Sequence, residues 1–228
     1  MFNSFPKNRY FYSMNILIVS ATEFEIAELR WYIPVKENVN IDFLITGVGM
    51  INTTFELTKC LMNKSYDYAI NVGIAGAFDR NIEIGDCVWV RKDLFSEMGA
   101  EDGDDFLSLI QLGLQRHDEH PFVWGELKPH LNKELSTLQK LKQVRAITVN
   151  KVHGNDDSIM KTNMMLSPQV ESMEGAAFFY TCMKMNIPCI QIRSISNYVE
   201  RRNRENWNIP LALESLKNTS MALLNEIA

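Results

Sequence analysis

The chain has 228 residues, of which 46% are hydrophobic and 22% are charged, and its formal net charge is −5. This composition is typical of a globular protein, and it excludes wholesale disorder, collagen and a simple coiled coil. The acidic balance disfavours non-specific nucleic-acid binding, which depends on clustered lysine and arginine. No apolar run approaches the ~20 residues that a transmembrane helix needs. We therefore expect neither a nucleic-acid partner nor a membrane segment.

The four cysteines, at positions 60, 87, 182 and 189, are not spaced as metal ligands. We expect buried free thiols in a cytoplasmic protein and no structural metal site. Residues 1–13 lack the apolar segment of a secretory signal. They are interpreted as an N-terminal extension, with Met14 as a candidate start, and residues 14–228 as a single domain.

Strand, glycine turn and helix alternate as far as residue 90. Apolar, β-branched runs predict strands at Asn15–Ser20, Ile41–Thr46, Tyr68–Val72 and Gly85–Val90. Helical spacing predicts helices at Thr22–Trp31 and Met50–Met62. Glycine turns at 47–49 and 73–76 are predicted to end the second and third strands. This alternation predicts an α/β fold with a mainly parallel sheet, in which ligands bind at the carboxyl ends of the strands.

The rest of the chain is regular only near its end. The acidic segment 97–105 predicts a solvated loop, 107–114 a short helix, 121–129 an irregular stretch, 132–142 a helix and 144–149 a strand. The final third predicts a helix at Glu174–Met185, a strand at Pro188–Arg193, a polar loop at Ser194–Asn208 and an amphipathic helix at Leu211–Ile227.

Two carboxylates follow predicted strands. Glu25 lies three residues after Thr22, which completes a helix capping box, but its place at the sheet edge also suits a general base. Glu174 opens a helix, where an acid complements the helix dipole. An ionised carboxylate can equally accept hydrogen bonds from two sugar hydroxyls. The residues alone leave both interpretations of each carboxylate open.

Three further polar features are equally ambiguous. Asn197, with Ser196, follows the last predicted strand as an ordinary turn or as an amide that donates to and accepts from a ligand. His153 is a structural side chain or one wall of a ligand pocket. The pair Gly47-x-Gly49 lacks the third glycine of a dinucleotide-binding motif, and there is no phosphate-binding P-loop motif. Both nucleotide-cofactor interpretations are therefore rejected.

Five short motifs occur in the order found in the purine nucleoside phosphorylase/nucleosidase superfamily. They are Ile-Val-Ser-Ala-Thr-Glu-Phe-Glu at 18–25, Thr-Gly-Val-Gly at 46–49, Asn-Val-Gly-Ile-Ala-Gly at 71–76, Ser-Met-Glu-Gly at 172–175 and Arg-Ser-Ile-Ser-Asn at 193–197. The chain resembles this superfamily from Met14 onward, except in roughly residues 95–145. Segments 99–104 and 205–210 look like its futalosine hydrolase branch, and the 5′-methylthioadenosine/S-adenosylhomocysteine nucleosidases are the next most similar.

The resemblance implies a fold, a ligand and an assembly. The fold is a single-domain three-layer α/β/α sandwich with a mixed, mainly parallel central sheet. The ligand is a small-molecule purine nucleoside, and neither a metal nor an organic cofactor is needed. Members of the superfamily are commonly homodimers or higher homo-oligomers, so we expect the same here.

The resemblance also assigns roles to residues. It implies that Glu25 activates water, that Glu174 binds the ribose hydroxyls and that Asn197 contacts the base. The substrate-binding set that it implies contains Met173, Glu174, Ile74, Ala75, Gly76, His153, Arg201 and Trp207. Arg201 and Trp207 lie in the loop that borders the 5′ substituent, although its arginines are equally consistent with a solvated loop. Ile74 departs from the family, in which a small polar residue is common at this position.

Asn197 indicates which purine base the site binds. The segment 20–23 indicates whether the glycosidic bond is cleaved by water or by phosphate. An amide can donate to O6 of hypoxanthine and accept from N7–H, whereas adenine-specific members carry Asp. Phosphorylases hold phosphate with a Gly-Asp-Pro loop, but this chain has Ser-Ala-Thr-Glu at 20–23. We therefore expect hydrolysis of the N-glycosidic bond of a 6-oxopurine nucleoside. The alternatives are an adenine nucleosidase and a non-catalytic nucleoside-binding protein, and the retained Glu25 argues against the second.

Overall fold

The computed structural model describes residues 13–32 and 36–227. Apart from Ser13, the predicted N-terminal extension lies outside these residues. The strands are β1 (Met14–Ser20), β2 (Val39–Ile45), β3 (Tyr68–Ala77), β4 (Cys87–Lys92), β5 (Gly99–Asp102), β6 (Asp105–Ser108), β7 (Phe122–Val123), β8 (Glu126–Leu127), β9 (Lys142–Thr148), β10 (Val170–Ser172) and β11 (Cys189–Tyr198). The α-helices are α1 (Glu23–Tyr32), α2 (Met50–Asn63), α3 (Ser136–Gln139), α4 (Asp156–Leu166), α5 (Gly175–Lys184) and α6 (Ile209–Ile227).

Seven strands form one mixed sheet in the order β10-β9-β4-β11-β3-β1-β2. Five of its pairings are parallel, and the pairings of β11 with β4 and of β10 with β3 are antiparallel. The extra pairing of β10 with β3 closes five strands, β10, β9, β4, β11 and β3, into a ring. The expected mixed, mainly parallel sheet is confirmed, and the ring is a feature that the sequence did not reveal.

Helices cover both faces of the sheet, which explains the uninterrupted apolar runs of its strands. In β1, Leu17 and Val19 belong to one hydrophobic core, and Ile16 and Ile18 belong to the other. The first core lies under α2 and α5, and the second lies under α1, α3 and α6. This alternation along a single strand confirms the three-layer arrangement.

Two strands run further than the sequence predicts. The segment 73–76 lies inside β3, and Ser196 and Asn197 lie inside β11, because these strands pair in parallel register as far as residue 77. A bulge between Ile195 and Asn197 interrupts that register. The predictions of a turn at 73–76 and of a loop beginning at Ser194 were therefore wrong. Long-range pairing, which has no local signal, extends both strands.

The middle of the chain also differs from its prediction. The acidic segment 97–105 contains β5 and the turn of the β5–β6 hairpin. The predicted helix at 107–114 is a strand end followed by turns, and the predicted helix at 132–142 shrinks to the single turn of α3. Helix α4 was missed because all of its described residues are exposed or half-buried, so it has no apolar stripe. Its N-cap does carry a local signal, since the Asn155 side chain accepts from the N–H groups of Asp157 and Ser158.

Four free cysteines lie in the described part of the chain. Cys182 and Cys189 are buried as expected, whereas Cys60 and Cys87 are only half-buried. Among the residues that the structure describes, no helix is both long and apolar enough to cross a membrane, and no group of three His, Cys, Asp or Glu side chains is arranged to hold a metal ion.

Candidate active site

Glu25 lies in the first turn of α1, directly after β1, and four donors hold its carboxylate. Oε2 accepts from the hydroxyl of Ser20 at 2.9 Å and from both the backbone N–H and the hydroxyl of Thr22 at 3.0 Å. Oε1 accepts from the backbone N–H of Ile74 at 3.1 Å. Oε2 thus makes the capping contacts, and Oε1 retains the capacity to accept from a further donor such as water. The two interpretations of Glu25 are compatible because they use different oxygens.

Glu174 precedes α5 and is 7% exposed. Its Oε1 accepts from the backbone N–H of Gly49 at 3.0 Å, and Gly49 has φ +95°, a conformation that favours glycine. Burial raises the pKa of Glu174, the Arg193 guanidinium and the Gly49 N–H oppose that rise, and the negative charge of Glu25 adds to it. The two predicted carboxylates are therefore close enough to interact electrostatically.

The guanidinium of Arg193, at 1% exposure, is a buried cation in the same region. Its Nη2 donates to Oδ1 of Asn71, whose amide donates to the backbone of β1. A Cβ at Gly73 would collide with the guanidinium and lie 2.8 Å from Oε1 of Glu25. Glycine at position 73 therefore gives the arginine and the carboxylate room to approach one another. Among the described residues, Nε of Arg193 has no hydrogen-bond partner.

Asp93 is a second buried carboxyl group, and it follows β4. It accepts from the Thr148 hydroxyl at 2.9 Å, from the Gln191 amide at 2.9 Å and from the Leu94 backbone N–H at 2.8 Å. A Cβ at Gly175, the first residue of α5, would collide with Asp93 and Gln191. The network is thus packed directly against the first turn of α5.

This network supports the helix that follows Glu174. The hydroxyl of Thr148, which donates to Asp93, also accepts from the backbone N–H of Ala176 at 2.7 Å. Burial raises the pKa of Asp93 to about 7, against the lowering effects of the Thr148 hydrogen bond and the Arg193 charge. The start of α5 therefore rests on a carboxyl group that is costly to ionise.

Asn197 and Glu171 flank Gly76 on neighbouring strands. Gly76 is in register with Asn197 of β11 on one side and with Glu171 of β10 on the other. A Cβ at residue 76 would lie 3.4 Å from Nδ2 of Asn197 and 3.6 Å from Cγ of Glu171. The two side chains therefore converge over the glycine on one face of the sheet. The amide of Asn197 also accepts from the Ser196 hydroxyl at 2.8 Å and donates to the Tyr198 carbonyl at 2.9 Å.

His153 lies in the loop before α4 and is tied to Glu171. Its backbone N–H donates to Oε1 of Glu171 at 3.1 Å, and its Nδ1 is 2.6 Å from Oε2. Its Nε2 is 2.9 Å from the Thr162 hydroxyl, and the Phe78 ring packs against it edge-on at 5.7 Å between centroids. The Glu171 side chain is 4% exposed and that of His153 is 12% exposed. The imidazole is thus fixed beside the carboxyl group of Glu171.

The remaining residues of the predicted set lie at different depths. Met173 is half-buried beside Glu174, and Ile74 and Ala75 lie in β3, where the backbone N–H of Ile74 contacts Glu25. Trp207 is half-buried under the guanidinium of Arg202, whose carbon is 4.9 Å from the ring centroid. Arg201 is exposed. The structure therefore brings Glu25, Glu174 and the backbone of Ile74 together, places Gly76 beside Asn197 and leaves Arg201 at the surface.

Residues 16–227 match the family model described as Phosphorylase superfamily. The chain belongs to this superfamily. Futalosine hydrolase of Thermus thermophilus is 26% identical over 186 residues, which cover 81% of each chain. The 5′-methylthioadenosine/S-adenosylhomocysteine nucleosidase of Maridesulfovibrio salexigens is 31% identical over 173 residues, covering 71% of this chain and 69% of the relative.

A solved structure supports the same fold. The 5′-methylthioadenosine/S-adenosylhomocysteine nucleosidase of Colwellia psychrerythraea, in complex with adenine, superposes with a TM-score of 0.76 at 19% identity. The superposition covers 95% of this chain and 97% of the other. The fold expected from the sequence is therefore confirmed.

Four residues of the candidate site were not predicted from the sequence. Gly49 and Arg193 stand inside the quoted motifs, and an arginine that ends an apolar strand is a recognisable signal, since a buried cation needs compensation. Asp93 and Glu171 carry no local signal. Their burial results from the pairing of distant strands and from the packing of α5.

Replacing Asp93 by Asn should change how stability depends on pH. Because the pKa of Asp93 is raised from 3.8 to about 7, the native state holds a proton that the unfolded chain releases. The stabilisation from this group is complete below about pH 4 and is lost as the pH rises to 7. Asparagine does not ionise. We expect the unfolding free energy of Asp93→Asn, relative to the unmodified protein, to increase between pH 5 and pH 8 in thermal unfolding.

A matched control separates this effect from the loss of any carboxylate. The pKa of Asp79 is lowered to about 2, chiefly by the backbone N–H of Asn81, so Asp79→Asn should leave the pH dependence between 5 and 8 unchanged. Gln191, whose Oε1 has no partner among the described residues, can turn to accept from the new amide in Asp93→Asn. Identical pH dependence in Asp93→Asn and the unmodified protein would contradict the prediction.

Proposed function

We propose that this protein hydrolyses the N-glycosidic bond of futalosine, releasing hypoxanthine and dehypoxanthinyl futalosine in the alternative route of menaquinone biosynthesis. The observation that carries the proposal is the convergence of Glu25 and Glu174 around a buried arginine, with an amide rather than a carboxyl group at position 197. The similarity to the futalosine hydrolase of Thermus thermophilus supports it.

Glu25 and Glu174 have different roles at the sugar. Hydrolysis passes through an oxocarbenium-like ribose, so a carboxylate must accept a proton from the attacking water. Glu25 performs this step through Oε1, because Oε2 is occupied by Ser20 and Thr22. Glu174 accepts the ribose hydroxyls with the oxygen that does not bind Gly49. The buried positive charge of Arg193 keeps both carboxylates in one region.

The base is read by Asn197. Its amide donates to O6 and accepts from N7–H of hypoxanthine, whereas adenine presents a 6-amino donor at the same edge. A site built from hydrogen bonds rejects the mismatched base strongly, because its own polar groups lose their partners. Hypoxanthine is therefore the preferred leaving base.

Water rather than phosphate is the second substrate. A phosphorylase needs a positively charged surface for phosphate, but the segment 20–23 is linked by hydrogen bonds to the Glu25 carboxylate. That negative charge repels phosphate and suits a water molecule.

The second candidate is an adenine nucleosidase acting on 5′-methylthioadenosine or S-adenosylhomocysteine. The 31% identity to the nucleosidase of Maridesulfovibrio salexigens favours it, and Asn197 argues against it. A non-catalytic nucleoside-binding protein is disfavoured, because a binder has no need of a carboxylate with one oxygen reserved for water.

The direct test is base release from futalosine and from 5′-methylthioadenosine, each with and without phosphate, followed by chromatography. We expect hypoxanthine from futalosine at a rate independent of phosphate, and little adenine. Adenine as the main product would replace the proposal with the adenine nucleosidase, and phosphate-dependent release would make the enzyme a phosphorylase.

Asn197→Asp should reverse the preference for the base. The carboxylate cannot donate to O6, so kcat/KM with futalosine should fall at least about 10-fold, the value of one strong hydrogen bond, while release from 5′-methylthioadenosine should rise. Asn225→Asp, at an exposed position of α6, is the control that should alter neither. An unchanged ratio of the two rates in Asn197→Asp would mean that the base is read elsewhere.

We also propose that two copies of the chain associate through the outer face of α2. Ile51, Phe55 and Met62 are 83%, 64% and 74% exposed and lie along one side of this helix, while its other side packs on α5. Exposed apolar side chains in such a row are typical of an interface between identical subunits. The homodimer expected from the resemblance would cover them.

Phe55→Glu should therefore abolish association. We expect the unmodified protein to sediment as a dimer in analytical ultracentrifugation and the variant to sediment as a monomer. Met160→Glu introduces the same charge at an exposed apolar residue of α4 and should remain dimeric. A monomeric unmodified protein would refute this assembly.

A further inference from the structure

The leaving purine must gain a proton that Asn197 cannot provide. When the C1′–N9 bond breaks, its electron pair stays on the purine, which leaves as a neutral molecule only if a ring nitrogen is protonated. An amide hydrogen-bonds to the base but does not transfer a proton near neutral pH. Glu25 and Glu174 are committed to water and ribose in the proposed function. The donor must therefore be another ionisable group at the base end of the site.

Glu171 lies at the base end of the site. It lies across Gly76 from Asn197, and both side chains lie within 3.6 Å of the position that a Cβ of residue 76 would occupy. Because residue 76 has no Cβ, the carboxyl group and the amide approach one another on one face of the sheet, beside the Val199 methyl group that would lie 3.1 Å from such a Cβ. A purine edge that contacts the amide of Asn197 would therefore lie next to Glu171.

His153 connects Glu171 to the outside of the protein. Its Nδ1 is 2.6 Å from Oε2 of Glu171, and its Nε2 is 2.9 Å from the Thr162 hydroxyl. The imidazole also lines a surface cavity of about 390 Å³, whose charged lining side chains are Glu97, Glu101 and Lys161. Imidazole is the usual carrier of protons near neutral pH. The carboxyl group can thus be resupplied from solvent although it is buried itself.

We propose that Glu171 is the proton donor to the leaving purine and that His153 returns the proton from solvent. This inference rests on the proposed function, since it concerns the base end of that same site. Glu171 is then a catalytic residue, and His153 is a positioning residue that acts through it.

The step balances. Water adds its hydroxyl group to C1′ and gives its proton to Glu25, while the C1′–N9 electron pair leaves with the purine. The protonated carboxyl of Glu171 gives its proton to a ring nitrogen of the purine, so that neutral hypoxanthine departs. Glu171 regains a proton through His153, and Glu25 loses its proton to solvent. The net reaction consumes one water molecule and no other reagent.

Two substrates distinguish a proton donor from a structural residue. Futalosine needs protonation of its purine, whereas 4-nitrophenyl β-D-ribofuranoside releases a phenolate that is stable without a proton. The variant is Glu171→Gln, which keeps the size of the side chain. Its amide can still accept from the His153 backbone N–H and, after a change of imidazole tautomer, donate to Nδ1. Circular dichroism and thermal unfolding check that the variant is folded.

We expect Glu171→Gln to lower kcat for futalosine about 100-fold or more, the usual scale of general-acid catalysis. Its KM and its rate with the nitrophenyl riboside should change less than about 3-fold. Glu25→Gln should lower both rates, because the attack of water is common to both substrates. Glu83→Gln, at an exposed turn, should lower neither.

Three results would overturn the inference. An unchanged kcat for futalosine would mean that the donor lies elsewhere. Equal losses with both substrates would give Glu171 a structural role, and a loss confined to KM would make it a binding residue only. If Glu171→Gln does not fold, His153→Gln replaces it with the same comparison of the two substrates. Failure of the unmodified protein to release hypoxanthine from futalosine is a separate result, which refutes the proposed function first.

Discussion

The site is organised around one buried positive charge. Burying an isolated ion costs several kcal/mol even after the protein relaxes, so the guanidinium of Arg193 requires negative or polar partners nearby. Asn71 accepts from it directly, and its charge acts on the pKa values of Glu174 and Asp93. Residues that follow β1, β4 and β10 are thereby drawn to the middle of β11. The sequence separation between them is long, but the electrostatic requirement is shared.

Backbone geometry makes this arrangement possible. The pairing of β3 and β11 continues as far as Ala77 and Tyr198, and the glycines of β3 remove side chains where other groups must approach. Gly73 admits the arginine beside Glu25, and the absence of a Cβ at Gly76 lets Asn197, Glu171 and Val199 approach one another. The strands thus bring polar groups together at the place where the sequence predicts turns.

The fold and part of the site could be predicted from the sequence, because the signals for them lie in short, local stretches of the chain. Apolar runs and helical spacing located the strands and helices of both terminal regions, since each has its own burial pattern. Glu25 and Glu174 were found because they follow strands. The β5–β6 hairpin, α4, Asp93 and Glu171 were not found, because exposed elements and long-range pairings have no periodic signal. Gly49 and Arg193 are part of the sequence motifs. Only the folded chain shows that Gly49 contacts Glu174 and that the charge of Arg193 lowers the pKa of Glu174.

Gly49 connects the start of α2 to the carboxylate of Glu174. It precedes the first residue of α2 and donates its N–H to Glu174, so the helix with the exposed apolar side is anchored at the carboxylate proposed to hold the sugar. A second copy of the chain bound to that helix would restrict the motion of the Glu174 carboxylate, and dissociation of the copy would make the carboxylate more mobile. Turnover per molecule would then depend on the protein concentration, falling on dilution even at saturating substrate.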